Sequence, residues 1–169
     1  MQVVMITRYA SCECGRVQCR AVGEPILSAV CYCDDCQEGA RQIEVLPDAT
    51  SFRDADGGTP YLTYRDDRFS CTTGEELLVD YRIRERTPTR RVVASCCNSA
   101  MFLKFGPGFW VSAYRARFEG DLPPLEMRTQ TRFRRANTDL LHDVLSYRRF
   151  GMRLFAKLVT ARVSMFLGR

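Results

Sequence analysis

The segment SCECGRV, residues 11–17, holds two cysteines separated by one residue. On a tetrahedral zinc ion, sulfurs that lie about 2.3 Å from the metal are about 3.8 Å from each other. Residues i and i+2 of a flat strand are about 6.6 Å apart along the chain. Cys12 and Cys14 can therefore chelate one metal only where the backbone curls into a tight turn. Gly15 follows them and adopts a positive φ without steric cost.

A second turn of the same kind is indicated in RRVVASCCNSAMF, residues 90–102. Asn98 follows Cys97, and asparagine tolerates a positive φ better than most residues other than glycine. The two turns have the form of a matched pair of knuckles. We therefore predict that Cys12, Cys14 and Cys97 are ligands of one closed metal site between two hairpins.

A third segment, CYCDDCQEGA at residues 31–40, places Cys31, Cys33 and Cys36 within six positions. Structural zinc sites usually have four protein ligands, whereas catalytic sites have three and keep one position for an exchangeable ligand. Two interpretations follow from the residues alone. The fourth ligand comes from elsewhere in this chain or from a partner chain, which makes a structural knuckle, or the fourth position stays open for chemistry.

The cysteine content indicates the compartment. Nine cysteines in 169 residues are an odd number, and their CxC and CxxC clustering argues against a secreted disulfide framework. The N-terminal segment MQVVMITRYA lacks a basic start before a long apolar core, so we predict no signal peptide. No uncharged apolar run approaches the length of a membrane span. We expect a cytoplasmic protein whose clustered thiols hold metal.

Residues 1–122 are expected to form a mainly β, zinc-binding domain. Short segments rich in Val, Tyr, Phe and Thr alternate with glycine-containing turns, which favours several short strands. A chain that is 46% hydrophobic can bury a core of this kind. The predicted strands are 16–22, 41–46, 61–65, 76–83, 90–94, 101–105 and 109–118.

Residues 123–169 are expected to form a basic, amphipathic, helical extension. Leu122-Pro123-Pro124 marks the boundary, and Asn137-Thr138-Asp139 offers capping residues before an apolar pattern at helical spacing. Gly151 is expected to bend or interrupt this helix. The last 42 residues carry 10 Lys or Arg against 2 Asp or Glu.

Several partners suit such a helix. It docks on the β domain or on a second copy, forming a homodimer, or it lies on an anionic membrane surface. Its arginines also suit nucleic-acid phosphates, although its aromatic residues are spaced for helix packing and not as a stacking platform.

The order and separation of the three cysteine segments resemble the glutathione-dependent formaldehyde-activating enzymes, a family that includes the centromere-protein-V-like proteins. The resemblance covers roughly residues 10–115 and matches the family's CxCG, CxCxxC and CxxCG[ST] blocks. It implies an Mss4-like β-tent, in which short antiparallel strands carry zinc knuckles.

The resemblance also implies two zinc sites, so we expect one or two zinc ions per chain. In the family, the outer blocks supply four cysteines to a structural zinc and the middle block supplies three to a second zinc. Carried over, Cys31, Cys33 and Cys36 form a catalytic site that binds a small thiol such as glutathione. The implied activity is that of a carbon–sulfur lyase that forms S-hydroxymethyl thiol adducts from formaldehyde. The alternative is a non-catalytic, zinc-stabilised interaction module whose basic helix binds a partner or an anionic membrane.

One departure from the family leaves the closed site incomplete. Ala94 stands where the third block has a cysteine. Cys96 is our candidate for the fourth ligand beside Cys97, although neighbouring residues form a strained chelate. Cys71, Cys19 and water are the alternatives.

Charged and hydroxyl groups near the three-cysteine segment have two interpretations each. Asp34 and Asp35 are solvated turn residues, or they orient ligands and favour a substrate less acidic than glutathione. Tyr32 shields the metal or donates a hydrogen bond, and His142 is expected at the surface or in packing. Two carboxylates beside three metal-bound thiolates would make this site negatively charged. Three arginines would offset that charge if they faced the site: Arg41, Arg90 and Arg91.

Overall fold

The computed structural model describes residues 5–135, 139 and 142–168. Within these residues the chain forms eleven β-strands and two α-helices. The strands are β1 (Thr7–Ser11), β2 (Gln18–Val22), β3 (Leu27–Cys31), β4 (Thr59–Arg65), β5 (Phe69–Thr73), β6 (Leu78–Tyr81), β7 (Thr89–Ala94), β8 (Ser99–Phe105), β9 (Trp110–Tyr114), β10 (Met127–Thr129) and β11 (Leu145–Ser146). The helices are α1 (Asp34–Ile43) and α2 (Met152–Phe166). The predicted mainly β fold with a C-terminal helix is confirmed.

The strands form two sheets. The smaller has the order β1-β2-β5, and the larger has the order β11-β10-β3-β4-β9-β8-β7-β6. In the larger sheet β10 runs parallel to β3 and to β11, and the other pairings are antiparallel. Strand β3 is paired on both sides, so Cys31 at its end lies opposite Thr59 on β4 and Thr129 on β10. Both neighbours fix the position of this cysteine.

Three buried clusters make up the core, and two of them include cysteines of the predicted sites. The first joins both sheets around Val17, Tyr64 and Met101, and it contains Cys12 and Cys97. The second surrounds Tyr61 and Met127, contains Cys31 and Cys36, and packs against Leu154 of α2. The third packs α1 on the larger sheet through Ile43, Phe52 and Tyr114.

Helix α1 overturns one predicted strand. Residues 41–46 were expected to be extended, but residues 34–43 are helical. The helix begins because the sulfur of Cys33 accepts a hydrogen bond from the Cys36 amide at 3.4 Å, which caps the first turn. Asp34 and Asp35 in that turn are favourable beside the positive end of the helix dipole.

Six of the predicted strands overlap observed strands, namely β2, β4, β6, β7, β8 and β9. Five short strands were missed: β1, β3, β5, β10 and β11. Strand β3 is buried at every position. A fully buried strand does not alternate polar with apolar residues, so periodicity gives no signal for it.

The C-terminal helix is shorter than predicted. The expected capping residues 137 and 138 and the apolar residues 140 and 141 lie outside the described residues. Residues 145–146 form β11 on the edge of the larger sheet, and α2 begins only at Met152. Gly151 is the N-cap of α2 and not a bend within it.

Packing of Tyr147 against Gly151 explains why α2 starts at Met152. A Cβ atom at position 151 would lie 2.7 Å from the ring of Tyr147, whose amide donates to Arg128 of β10 at 2.9 Å. The proposed domain boundary at residue 122 stays a prediction, and the larger sheet continues across it through β10. Neither described helix has the length and apolar character needed to cross a bilayer.

Candidate metal centres

The structure brings together the cysteines of SCECGRV, residues 11–17, and of RRVVASCCNSAMF, residues 90–102. The sulfurs of Cys12, Cys14, Cys96 and Cys97 all lie within 4.8 Å of one another, and we call this group the closed site. The Cys12 sulfur lies 3.6 Å from that of Cys14 and 3.8 Å from that of Cys96. The Cys14 and Cys96 sulfurs are 3.3 Å apart, and those of Cys96 and Cys97 are 3.9 Å apart. These separations are close to the roughly 3.8 Å edge of a zinc–thiolate tetrahedron.

The two predicted turns create this geometry. Gly15 has a φ of 75°, and its amide donates to the Cys12 carbonyl at 2.9 Å. Asn98 has a φ of 52°, and its side-chain amide donates to the Pro47 carbonyl at 2.9 Å. The Val17 amide donates to the Cys12 sulfur at 3.2 Å. Backbone turns and amide hydrogen bonds therefore hold the sulfurs together and stabilise negative charge on them.

Cys96 completes the group of four. Ala94 is fully buried in the first core cluster, so the chain provides its fourth sulfur two residues later. Cys19 and Cys71, both described, belong to neither candidate metal group. They face each other across β2 and β5 and pack in or against the first core cluster.

The closed site already contains a ready thiolate. A hydrogen bond from the Arg16 backbone and the hydrogen-bond contact with Cys96 lower the pKa of Cys14 to about 6. Burial and the neighbouring sulfurs raise the pKa of Cys96 to about 12. The four thiols therefore do not all ionise on their own near neutral pH. Binding of a cation by all four sulfurs would require loss of the remaining protons and would therefore depend on pH.

The segment CYCDDCQEGA, residues 31–40, forms a second group of cysteines. The sulfurs of Cys31, Cys33 and Cys36 lie within 4.8 Å of one another, and we call this group the open site. Cys31 ends β3, Cys33 caps α1, and Cys36 lies in the first turn of that helix. The Cys33 amide donates to the Cys31 sulfur at 3.5 Å. Hydrogen bonds from the Cys33 and Cys36 thiols hold the pKa of Cys31 well below its ordinary value.

All three sulfur-bearing residues of the open site line a cavity of about 460 Å³. The floor comes from β3, β4, β7, β8 and β9, and one wall comes from α2 and the residue before its cap. The other lining residues are Leu27, Asp35, Tyr61, Thr63, Thr89, Arg91, Leu103, Phe105, Trp110, Ser112, Phe150, Leu154, Phe155 and Leu158. The open site therefore faces a volume typical of small-molecule pockets, whereas no cysteine of the closed site is among the residues that line this cavity.

The negative charges of Asp34 and Asp35 are balanced by neighbouring arginines. Asp34 forms an ion pair with Arg135 at 3.5 Å, and the Asp35 carboxylate pairs with Arg84. Asp35 also lines the cavity. Both carboxylates lie in the first turn of α1, and about half of each side chain is exposed. Their helical position and their arginine partners account for them.

Of the three arginines considered from the sequence, one lines the cavity. Arg41 pairs with Glu38 at 2.6 Å, and Arg90 pairs with Asp80 at 3.0 Å. Arg91 is only 2% exposed and lies among the residues of the open site's cavity.

Tyr32 and His142 are not among the residues that line the cavity. The Tyr32 hydroxyl donates to Asp56 at 2.7 Å, and His142 is exposed. Tyr61 is the tyrosine that lines the cavity. Sequence reasoning missed it because it lies on β4, 25 residues or more from each cysteine of the site, and becomes a neighbour only through the register of β3 with β4.

A sequence model of the family described as glutathione-dependent formaldehyde-activating enzyme matches residues 7–111. This match covers more than half of the chain and includes all three cysteine segments. The chain belongs to this family. The predicted resemblance is therefore confirmed.

The other comparisons add little. A crystal structure of a Rhodobacter sphaeroides protein is similar, with a TM-score of 0.46 and 18% identity, covering 68% of this chain and 91% of that chain. The comparison with curated proteins gave no significant match. The family assignment therefore rests on the family model.

The donor set of this family member fits zinc. Seven cysteine sulfurs in groups of four and three match the soft thiolate ligands that zinc selects. Three of the sulfur separations in the closed site are within about 0.2 Å of a tetrahedral edge, and the Cys14–Cys96 separation of 3.3 Å is shorter. The open site offers three sulfurs beside a cavity, which suits a metal with one exchangeable position.

Proposed function

We propose that this family member is a zinc-dependent enzyme that adds a small thiol to formaldehyde or a comparable small aldehyde. The observation that carries the proposal is the contrast between the two cysteine groups. Four sulfurs converge at the closed site, whereas three sulfurs of the open site face a cavity large enough for a substrate.

Cys31, Cys33 and Cys36 would hold the metal of the open site. Zinc bound there supplies a positive charge that keeps a thiol as a nucleophilic thiolate near neutral pH. In the reaction the thiol sulfur forms a bond to the carbonyl carbon. The thiol proton leaves to solvent and the carbonyl oxygen gains a proton, so that a thiol and an aldehyde give a hydroxyalkyl thioether.

Tyr61 is the group that we assign to the carbonyl oxygen. Its side chain lines the cavity beside the three cysteines, and burial raises its pKa well above the ordinary value. Like any tyrosine whose pKa is not lowered, Tyr61 keeps its proton at neutral pH, and its hydroxyl would donate a hydrogen bond to the oxygen on which negative charge develops. The closed site, in contrast, clamps the turn after β1 to the turn between β7 and β8 and supports the fold.

Cobalt substitution tests whether the open site binds a thiol substrate. Adding β-mercaptoethanol to the cobalt protein should change the thiolate-to-metal absorption, because the thiol enters the open position. Cys33→Ala should abolish the change and Cys71→Ala should leave it intact. The rate of adduct formation from labelled formaldehyde, measured by NMR exchange, should fall for Tyr61→Phe by about 10-fold or more. A spectrum unaffected by any thiol would overturn the proposal.

One observation favours a second function, that of an interaction module. Five apolar residues of α2 are exposed and recur every three or four positions: Met152, Phe155, Val159, Val163 and Phe166. The helix contains no acidic residue. Arg153 and Lys157 lie near Glu126, and Arg162 lies over the ring of Phe109. A cationic helix with an exposed apolar stripe suits an anionic lipid surface.

Vesicle sedimentation tests this second function. The protein should bind vesicles of phosphatidylcholine with phosphatidylserine and not those of phosphatidylcholine alone. The double variant Val159→Glu, Val163→Glu should release it, and Thr160→Glu, on another face of the helix, should not. Equal binding of all variants, or none, would contradict a membrane role for α2.

A further inference from the structure

The cavity of the open site is built mainly for an apolar ligand. Its walls present eight apolar or aromatic side chains besides the tyrosine and the cysteines: Leu27, Leu103, Phe105, Trp110, Phe150, Leu154, Phe155 and Leu158. The hydroxyls of Thr63 and Ser112 bond to each other at 3.1 Å and so are already satisfied. Polar groups of a ligand would find few partners on these walls.

Arg91 is the exception. It is 2% exposed, lines the cavity, and comes from the middle of β7. Its Nη2 donates to the main-chain carbonyl of Asp35. Its Nη1 is buried and has no partner within hydrogen-bond geometry in the described part of the chain, although the guanidinium interacts with the hydroxyl of Tyr114. The nearest acid in the lining, Asp35, directs its carboxylate to Arg84.

A buried guanidinium with an unsatisfied donor calls for an acceptor. The fixed fork of an arginine suits a carboxylate in particular. Arg91 therefore lies in an apolar, aromatic cavity, beside three thiols, with one donor available for an anionic group.

We propose that the thiol substrate of this site has a single carboxylate, bound by Arg91, and an aromatic or branched apolar body, enclosed by the strands and by α2. This proposal rests on the proposed function, since it names the thiol used there. Glutathione suits the cavity poorly because it has two carboxylates, an ammonium group and two peptide groups. Enclosing them would leave most of these groups without partners, which costs binding energy.

A first experiment tests the ligand class without the metal. Trp110 is the single tryptophan of the chain and lines the cavity, so its fluorescence reports occupancy. para-Toluate should quench it with an affinity about 10-fold or more above that of para-toluamide, because only the carboxylate accepts charge-assisted bonds. Arg91→Gln should remove this preference and change amide binding by less than about 3-fold. If Arg91→Gln does not fold, the preference of the wild-type protein decides.

A second experiment uses the cobalt protein and compares para-(mercaptomethyl)benzoate with glutathione. The aromatic thiol should change the thiolate-to-metal absorption at a concentration about 10-fold or more below that of glutathione. Tighter binding of glutathione, or an equal affinity for toluate and toluamide, would overturn the ligand class. Quenching by toluate with a cobalt spectrum that no thiol changes would overturn the proposed function and leave the carboxylate site standing.

Discussion

Gly39 of α1 lies directly against the guanidinium of Arg91. A Cβ atom at position 39 would lie 2.5 Å from Cζ and 2.8 Å from Cδ of this arginine. Contacts this short do not occur between real atoms, and the arginine is buried and cannot swing into solvent. Gly39, three residues after the last cysteine of the open site, thus leaves the space that the guanidinium of Arg91 occupies.

This contact predicts an unusual effect for Gly39→Ala. In most helices the change from glycine to alanine stabilises by up to about 1 kcal/mol. Here we expect a loss of about 1–3 kcal/mol, because the added methyl group overpacks the core against Arg91. Urea unfolding of Gly39→Ala, Arg91→Ala and the double variant measures the coupling. In the Arg91→Ala background the alanine at position 39 should be neutral or stabilising, and an equal effect in both backgrounds would contradict the contact.

The two metal groups should contribute differently to stability. We expect two zinc ions per chain in freshly purified protein, and one in either Cys14→Ala or Cys33→Ala. Cys14→Ala should lose about 3 kcal/mol or more, since the closed site links two turns far apart in the chain. Cys33→Ala should lose less because β3 and α1 remain packed. Metal analysis and urea unfolding measure both, with Cys71→Ala as the control that retains two ions. Equal losses of stability would contradict the division.

Asp56 should make a pH-dependent contribution. It accepts hydrogen bonds from Tyr32 at 2.7 Å, the Gly58 amide at 3.1 Å and Arg134 at 3.3 Å. Although burial opposes them, these bonds lower the pKa of Asp56 below its ordinary value of 3.8. The stabilisation is therefore fully present above that value and is lost as the pH falls through the lower pKa of the folded state.

Asp56→Asn is thus expected to cost about 1–3 kcal/mol at neutral pH. The difference from the wild-type protein should shrink as the pH falls from 3.8 through the lower pKa of the folded state, below which Asp56 itself is neutral. Thermal unfolding across this range measures the difference. Any thiolate-bound metal would be lost from both proteins in acid, so that effect cancels in the comparison. A constant difference at all pH values would count against the assignment.

Helix α2 should be docked through Leu154. This residue packs against the second core cluster and lines the cavity, whereas Met152 on the same turn is 82% exposed. Leu154→Asp should cost about 2–4 kcal/mol, and Met152→Asp should stay within about 0.5 kcal/mol. Urea unfolding compares them. If Leu154→Asp proves as stable as Met152→Asp, α2 is not a wall of the cavity in solution.

The sequence predicted those parts of the site that depend on local geometry. The spacing of Cys12 and Cys14 requires a turn, and Gly15 and Asn98 both have the positive φ expected of it. The strands that alternate polar with apolar residues were also found, because such a pattern is imposed by one buried and one exposed face. Strand β3 and helix α1 were not predicted. Strand β3 is buried throughout, and helix α1 begins at a cysteine cap.

The wall that α2 contributes to the open site could not be predicted, because tertiary contacts decide where this helix begins. The apolar spacing of residues 140–167 is helical, yet pairing of β11 with β10 and the packing of Tyr147 at Gly151 delay the helix to residue 152. Tertiary contacts outweighed local propensity in this segment. The same packing places Leu154 and Leu158 over the open site.

The sequence by itself indicated which cysteines lie close together within each short segment, because cysteines one to three residues apart are held near one another by the local backbone turn. Only the tertiary structure decided what surrounds them. Cys96 joined the closed site, and Tyr61 and Arg91 reached the open one, through strand register and helix packing between residues distant in the chain. Such contacts depend on the whole fold and leave no pattern in any single segment.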